Sequence, residues 1–360
     1  MDAPALRAQF PVTERVAYLN AGTCGPIPSA ATEAAVAELR RELEQGRAGM
    51  PHFERHQELA QRLRTAYAAR LGCAAEDVAL TTSTTDGIAI ALAGLDVGRG
   101  DEVLTADTEH PGVFGPLQAL RDLRGVSVRT APLAELAGVA GPDTRAVVCS
   151  HVSWLTGEVA PLADLATLEA PVILDGAQGI GAVAMDVDAL GCEVYAGSGQ
   201  KWLCGPEGAG MLYVAPDFRE QLAPTRRGYM ALDDPNAGLD AGPAPGARRF
   251  EPPANHGAAA MAHALAAHDV LEAAGWDAVH ERARTLAAGL AEQLAERGHQ
   301  VADRGPTTLV AWRDAEMLET ARRLAEAGVA VRHLPGRDLV RASIGAWNDE
   351  ADLERLLAAL

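Results

Sequence analysis

Residues 171–181 read PVILDGAQGIG and residues 195–214 read YAGSGQKWLCGPEGAGMLYV. In the first stretch a short apolar run, VILD, delivers Asp175 to its end and is followed by small residues. In the second, a run ending in small residues is followed by Gln200 and Lys201, then a Gly-Pro turn into another apolar run. VALT (78–81), EVLTA (102–106), AVVCS (146–150), EVYAG (193–197) and AGMLYV (209–214) are strand-like in the same way. Helical patterns lie between several of them: DGIAIALAGL, GPLQALRDL and LADLATLEA. Strands alternating with helices predict an α/β fold whose sheet is mainly parallel and covered on both faces. Ligands of such sheets bind at the carboxyl ends of the strands, which is where Asp175 and Lys201 fall.

Outward from this centre, 29–48 and 52–71 read as two helices parted at Gly49–Pro51. Residues 224–254, full of Pro, Gly and Asp, read as a long irregular segment near a site or a subunit contact. Two Ala-rich helices follow, at about 256–274 and 276–297. TLVAW, a helix, VAVRHL, LVRASI and a last helix then form a compact α+β unit. The expected division is an N-terminal arm (1–25), a large domain (26–270) and a small C-terminal domain (271–360).

The chain has 360 residues, 48% of them hydrophobic, and a net charge of −18. Its mean hydropathy is −0.02 and its pI about 4.9. This argues for a globular protein with a sizeable core and against nucleic-acid or anionic-membrane partners, which need basic patches. No apolar run approaches the roughly 20 residues of a membrane span, and the N-terminus lacks a signal-peptide pattern. Five dispersed cysteines (Cys24, Cys73, Cys149, Cys192 and Cys204) without a C-x-x-C pair suit reduced thiols. A cytoplasmic location is therefore expected.

Lys201 is the sole lysine; every other side chain of fixed positive charge is arginine. Where a generic cation suffices, arginine serves. A guanidinium stays protonated, whereas an amine in the right pocket loses its proton and becomes a nucleophile. Asp175 at a strand end is suited to a protonated pyridine nitrogen, with Gln178 near the ring oxygen. Lys201 would reach a cofactor aldehyde, and Ser198 and Gln200 would face its phosphate. The helix opened after VALTTSTT offers hydroxyls and free N–H groups to a phosphate, although an ordinary helix cap reads the same. In LVRASI, Arg341 suits a bidentate grip on a carboxylate, although an isolated Arg reads equally as a surface charge. Two rival motifs fail. Gly176, Gly179 and Gly181 are in the wrong order for a dinucleotide loop, and Lys201 lacks the flanking Gly and Ser/Thr of a P-loop.

Taken together, Tyr-Leu-Asn…Thr-Thr-Asp-Gly-Ile…Glu-His…His-Val-Ser…Asp-Gly-Ala-Gln…Ser-Gly-Gln-Lys-Trp…Gly-Pro-Glu-Gly…Arg-Phe-Glu…Arg-Ala-Ser resembles the class V aminotransferases, from about Tyr18 to the C-terminus. These are fold-type I pyridoxal-phosphate enzymes that include cysteine desulfurases, isopenicillin N epimerase-like proteins and kynureninase. The resemblance implies a mainly parallel seven-stranded sheet with a small α+β domain, pyridoxal 5′-phosphate as cofactor, and a homodimer with sites at the interface. It implies Lys201 as the lysine that binds the cofactor aldehyde, Asp175 at the ring nitrogen, Gln178 at the ring oxygen and His110 on the ring face. Thr84, Thr85, Ser198 and Gln200 would hold the phosphate. Arg341 would hold the carboxylate of a small amino-acid substrate, with Trp154 and Thr23 of the arm beside it. No metal is implied.

The sequence also departs from the family. VRHLPGRDLVRAS (331–343) has no acceptor cysteine of the desulfurase kind. Trp154 replaces the usual Asn, Gln200 stands where desulfurases place His, and RRFEPPANHG (248–257) lacks a Thr that reaches a neighbouring phosphate. Cys24 reads as a small pocket-lining residue, and His52 and His56 as helix-surface residues. Transamination needs only Lys201, Asp175 and Arg341 and is the first expectation. A C–S lyase is second, an epimerase third, and a non-catalytic cofactor-binding protein the rival of a different class.

Overall fold

The computed structural model describes residues 1–252 and 256–360. Its strands are β1 (Ala17–Tyr18), β2 (Val78–Thr81), β3 (Glu102–Ala106), β4 (Ser127–Ala131), β5 (Thr144–Ser150) and β6 (Val172–Asp175). After these come β7 (Val194–Ser198), β8 (Gly210–Val214), β9 (Leu309–Arg313), β10 (Val329–Ala330), β11 (Arg332–Leu334) and β12 (Leu339–Ser343). Seven of them form one sheet in the order β2-β8-β7-β6-β5-β3-β4, parallel except for β8, which runs antiparallel to both neighbours. The expected α/β architecture is present.

Alternation along the strands shows how both faces are buried. In β6, Val172 and Leu174 join one apolar cluster while Ile173 joins the other. The first cluster takes Leu59, Leu63 and Tyr67 from the helix Met50–Leu71 and Leu265 and Leu271 from Ala258–Ala274. The second takes Ile88 and Leu92 from Thr84–Gly94 and Val113 and Leu117 from Pro111–Arg124. Gly87 lets Thr84–Gly94 lie directly on the sheet, since a Cβ there would sit 2.8 Å from that of Ala196.

The C-terminal part is built on the antiparallel sheet β11-β12-β9, with Val310, Trp312, Val340 and Ala342 packed against Leu286, Leu290 and Leu353. The arm is tied into it. β1 pairs parallel with β10, Ala17 and Leu19 enter its core, and Asn20 bridges to Ser343.

Several expectations are corrected in detail. LADLATLEA is helical only over Leu162–Leu165, whereas the helix containing GPLQALRDL starts earlier, at Pro111. SVRTA forms β4, an edge strand whose polar, partly exposed residues hid it from a hydrophobic search. VAVRHL is two strands, β10 and β11, which belong to different sheets. Residues 224–252 hold short 3₁₀ turns rather than one open loop.

Candidate active site

β2, β3, β5, β6 and β7 all end on one side of the sheet, and their ends supply a cavity of about 220 Å³. It is lined by Ser83, Thr84 and Thr85 after β2, His110 after β3, Ser150, Asp175 and Ser198 at three strand ends, and Lys201. Every expected cofactor and substrate residue except Arg341 lines this space: Gln178, Gln200, Trp154 and Thr23 do so too.

Lys201 is held by the turn that follows β7. Cys204 N–H donates to the Lys201 carbonyl at 3.1 Å, and Cys204 takes a left-handed φ of +53° to close it. Gly25 of the arm packs on that carbonyl so closely that a Cβ would come within 2.1 Å. Burial lowers the Lys201 amine to about 8, with Arg341 and Arg332 pushing the same way and Asp175 opposing. Burial raises the Asp175 carboxyl, while Lys201 and the N–H of Ala177 (2.9 Å) pull it back.

The glycines after Asp175 serve packing. A Cβ at Gly176 would sit 2.0 Å from Tyr195 Cε1, and one at Gly179 would sit 2.2 Å from the Tyr195 hydroxyl. That hydroxyl lies 3.1 Å from His151 Nδ1, beneath the cavity floor. The Gly-x-x-Gly-x-Gly string is thus a close-packed support for Asp175.

Opposite the lysine, the helix Thr84–Gly94 points its N-terminus at the cavity. Ser83 Oγ accepts from Asp86 N–H, so the ordinary cap is real, yet Thr84 Oγ1 and Ser198 Oγ also lie together at 2.8 Å. Gln200 Oε1 is buried without a partner. Arg226, from the irregular segment, forms an ion pair with Asp86 at this end.

His110 caps the helix Pro111–Arg124. Its Nδ1 accepts from Gly112 N–H at 3.0 Å, which leaves the proton of a neutral ring on Nε2. Burial, then Lys201, Arg332 and Arg341, depress it to about 4. Trp154 stands edge-on to it at 5.0 Å and donates Nε1–H to the Thr108 carbonyl at 3.0 Å. Gln178 is more committed than its sequence suggests: Nε2 donates to the Gly22 carbonyl (2.8 Å) and Oε1 accepts from Trp202 Nε1–H (3.0 Å). One amide proton is left for a ligand.

Arg341 is no surface charge; it is 0% exposed. In β12 its neighbours Val340 and Ala342 face the small core, so strand alternation sends Arg341 and Ser343 to the other side, beneath the arm. A Cβ at Gly22 would lie 2.9 Å from Arg341 Nη2 and 2.7 Å from Ser343 Oγ. Arg341 Nη1 donates to the Trp154 carbonyl, while Nε and Nη2 are buried without partners. Burial, then Arg332, lowers this guanidinium to about 9.

Two residues of the site were missed. Arg332 pairs with Arg341 across β11 and β12, lines the cavity, and donates to Thr23 Oγ1 at 3.1 Å. Its signal was spacing: nine residues with a turn between put it opposite Arg341 in a hairpin. Glu109 is buried beside Ser150 and Asp175, and a charged residue directly before His110 was its only trace. Cys24 does not line the cavity; its Sγ donates to Glu207 Oε1 at 3.8 Å. His56 Nε2 lies 2.6 Å from the His256 carbonyl, away from the site. The RRFEPPANHG comparison falls partly on 253–255, outside the described residues.

An amine able to lose its proton, a buried carboxylate, and hydroxyls at a helix N-terminus suit the aldehyde, ring nitrogen and phosphate of pyridoxal phosphate. Comparison with known proteins agrees. The profile of the family described as Aminotransferase class-V matches residues 17–356. Isopenicillin N epimerase of Streptomyces clavuligerus is 28% identical, over 100% of this chain and 98% of its own. A probable cysteine desulfurase of Pseudomonas aeruginosa is 32% identical, over 84% and 81%. The solved structure of a cystine C–S lyase with its product cysteine persulfide superposes with a TM-score of 0.91 at 30% identity, covering 97% and 98%. With its family profile running almost end to end, this chain belongs to the class V aminotransferase family, and its cofactor is pyridoxal phosphate.

Proposed function

We propose that this chain is a carbon–sulfur lyase that removes the β-substituent of a sulfur amino acid bearing a carboxylate at each end, with cystine as the model substrate. The observation that carries the reading is the pair of guanidiniums, Arg341 and Arg332, opposite each other on neighbouring strands. Arg341 has two unused donors for an α-carboxylate, and Arg332 at the cavity edge offers a second cation for a distal one. Two further facts support it: a cystine C–S lyase is among the solved structures this chain resembles, and elimination needs no acceptor cysteine. Transamination ranked first on sequence because it needs least; it would give Arg332 a task only with a dicarboxylic donor.

Bound pyridoxal phosphate supplies an electron-accepting ring conjugated to the substrate's α-carbon. Lys201, with a proton affinity near the working pH, takes the α-proton. Asp175 would keep the ring nitrogen protonated, neutral His110, with Trp154 edge-on to it, would pack against the ring, and Gln178 would offer its spare proton to the ring oxygen. Thr84, Thr85, Ser198 and Gln200 would hold the phosphate. Loss of the β-sulfur from cystine, with one water, then gives a persulfide, pyruvate and ammonia.

The test is to add single amino acids to the yellow holoenzyme without a keto-acid acceptor and follow the visible spectrum and the products. Pyruvate and persulfide accumulating from cystine over many turnovers support the reading. A stoichiometric spectral change that stops after one turnover identifies an aminotransferase instead, and loss of optical activity without pyruvate identifies an epimerase.

A further inference from the structure

Glu109 sits at the junction of three parts of the site and is 3% exposed. Its Oε1 accepts from Ser150 N–H at 2.6 Å, and its Oε2 accepts from the Ser150 hydroxyl at 2.5 Å. Ser150 is the Cα partner of Asp175 across β5 and β6, and the next residue, His151, donates its N–H to the Asp175 carbonyl at 2.9 Å. Glu109 also precedes His110 directly. One carboxyl thus ties the loop that carries His110 to the strand end beside Asp175.

The titratable groups that bear on Glu109 are Asp175 on β6 and the Cys149 thiol on β5, with His110 next in the chain. Lys201 bears on Asp175 and His110, and Arg332 and Arg341 bear on His110. Two buried carboxyls that feel each other's charge do not both ionise easily; the one with the poorer compensation tends to keep a proton. Asp175 has Lys201 nearby to favour its charge. Burial, then Asp175, pushes Glu109 up to about 7 against the bonds from Ser150 and the His110 N–H.

We propose that Glu109 is a positioning residue for the cofactor: as the neutral member of a buried carboxyl pair it braces Ser150 and leaves Asp175 as the carboxylate that meets the ring nitrogen. Ser150 Oγ is the donor of the 2.5 Å bond when Glu109 is a carboxylate; a proton on Glu109 Oε2 reverses that bond, while Oε1 still accepts from the Ser150 N–H. The inference rests on Asp175 holding the ring nitrogen and is independent of the substrate. It predicts that glutamine, which accepts and donates at the same two points without charge, replaces Glu109, and that alanine does not.

The experiment compares wild type, Glu109→Gln, Glu109→Ala and Asp175→Asn as holoenzymes. The readouts are the dissociation constant for pyridoxal phosphate by equilibrium dialysis, the visible band, and the protonated-carboxyl infrared absorption at neutral pH. The expected result is that Glu109→Gln keeps the visible band and binds the cofactor within about twofold of wild type, whereas Glu109→Ala binds it about tenfold more weakly. A protonated-carboxyl absorption should be present in wild type and missing from Glu109→Gln. The inference is overturned if that absorption is absent from wild type or survives in Glu109→Gln, if glutamine is as damaging as alanine, or if alanine is harmless. Should Glu109→Ala fail to fold, the glutamine variant and the infrared band decide. Asp175→Asn separates the layers. If it binds the cofactor as wild type does, the Asp175 assignment falls and this inference with it; if it binds weakly while the Glu109 expectations fail, only the inference falls.

Discussion

The wall of the cavity that carries Asp175, Ser198 and Lys201 grows from the ends of β6 and β7, strands buried on both faces. The wall that carries Arg332, with Arg341 buried behind it, grows from a three-stranded sheet some 130 residues further along the chain, and the arm pairs with strands and residues of that part. The first wall has bonds between neighbours in sequence, such as Cys204 to Lys201 and Ala177 to Asp175, beside the long-range contacts of Ser198 with Thr84 and of Gly25 with the Lys201 turn. The second is held by contacts across the whole chain: Arg341 to the Trp154 carbonyl, Arg332 to Thr23, Asn20 to Ser343. On the proposed function, the lysine wall carries what every reaction of this cofactor needs and the guanidinium wall selects what is brought to it. Damage to the first should therefore abolish chemistry, and damage to the second should change substrate preference.

The largest expected effect is on the lysine wall. Lys201→Ala should lower turnover by about 10³-fold or more and remove the yellow band, with circular dichroism unchanged. Retained turnover would break the distinction at its root.

On the other wall, Arg341→Ala should lower kcat/KM for any amino acid by about 10²-fold, since a charged pair of hydrogen bonds is lost, while cofactor affinity stays constant. Arg332→Ala should cost about tenfold in KM for cystine and little for an amino acid with one carboxylate. Equal losses for both substrates would show that Arg332 acts only through Arg341, whose charge it already perturbs.

The smallest effect concerns the support beneath the lysine wall. Burial depresses His151 from 6.5 to about 4, so the folded protein binds its proton less readily than the unfolded chain. The stabilisation this represents is complete above pH 6.5 and is lost as pH falls from 6.5 toward 4. Between pH 7 and pH 5 wild type should lose about 2 kcal/mol more in urea unfolding than His151→Gln. An identical loss in both would show that His151 titrates normally.

The lysine wall was legible in sequence because its parts are local. A strand signal and the residues just after it place Asp175, Ser198 and Lys201 with no knowledge of long-range contacts. The helix Thr84–Gly94 was legible as a helix for the same reason, although its start read by itself as an ordinary cap. Arg332 and Glu109 were not: the spacing of Arg332 from Arg341 has meaning only once the hairpin is known, and Glu109 has no local pattern that separates it from an ordinary surface charge. β4 escaped because an edge strand with polar, half-exposed residues lacks the apolar run by which the other strands of that sheet announce themselves.

By itself the sequence determined the α/β architecture, the lone amine and the carboxylate at a strand end, since hydrophobic periodicity and strand-end chemistry are written within a dozen residues. Only the tertiary structure decided that Arg341 is buried with unused donors, that Arg332 stands opposite it, and that Glu109 lies against the partner strand of Asp175. Burial and the distance between charges depend on segments far apart in the chain, and those two quantities set what each ionisable group does.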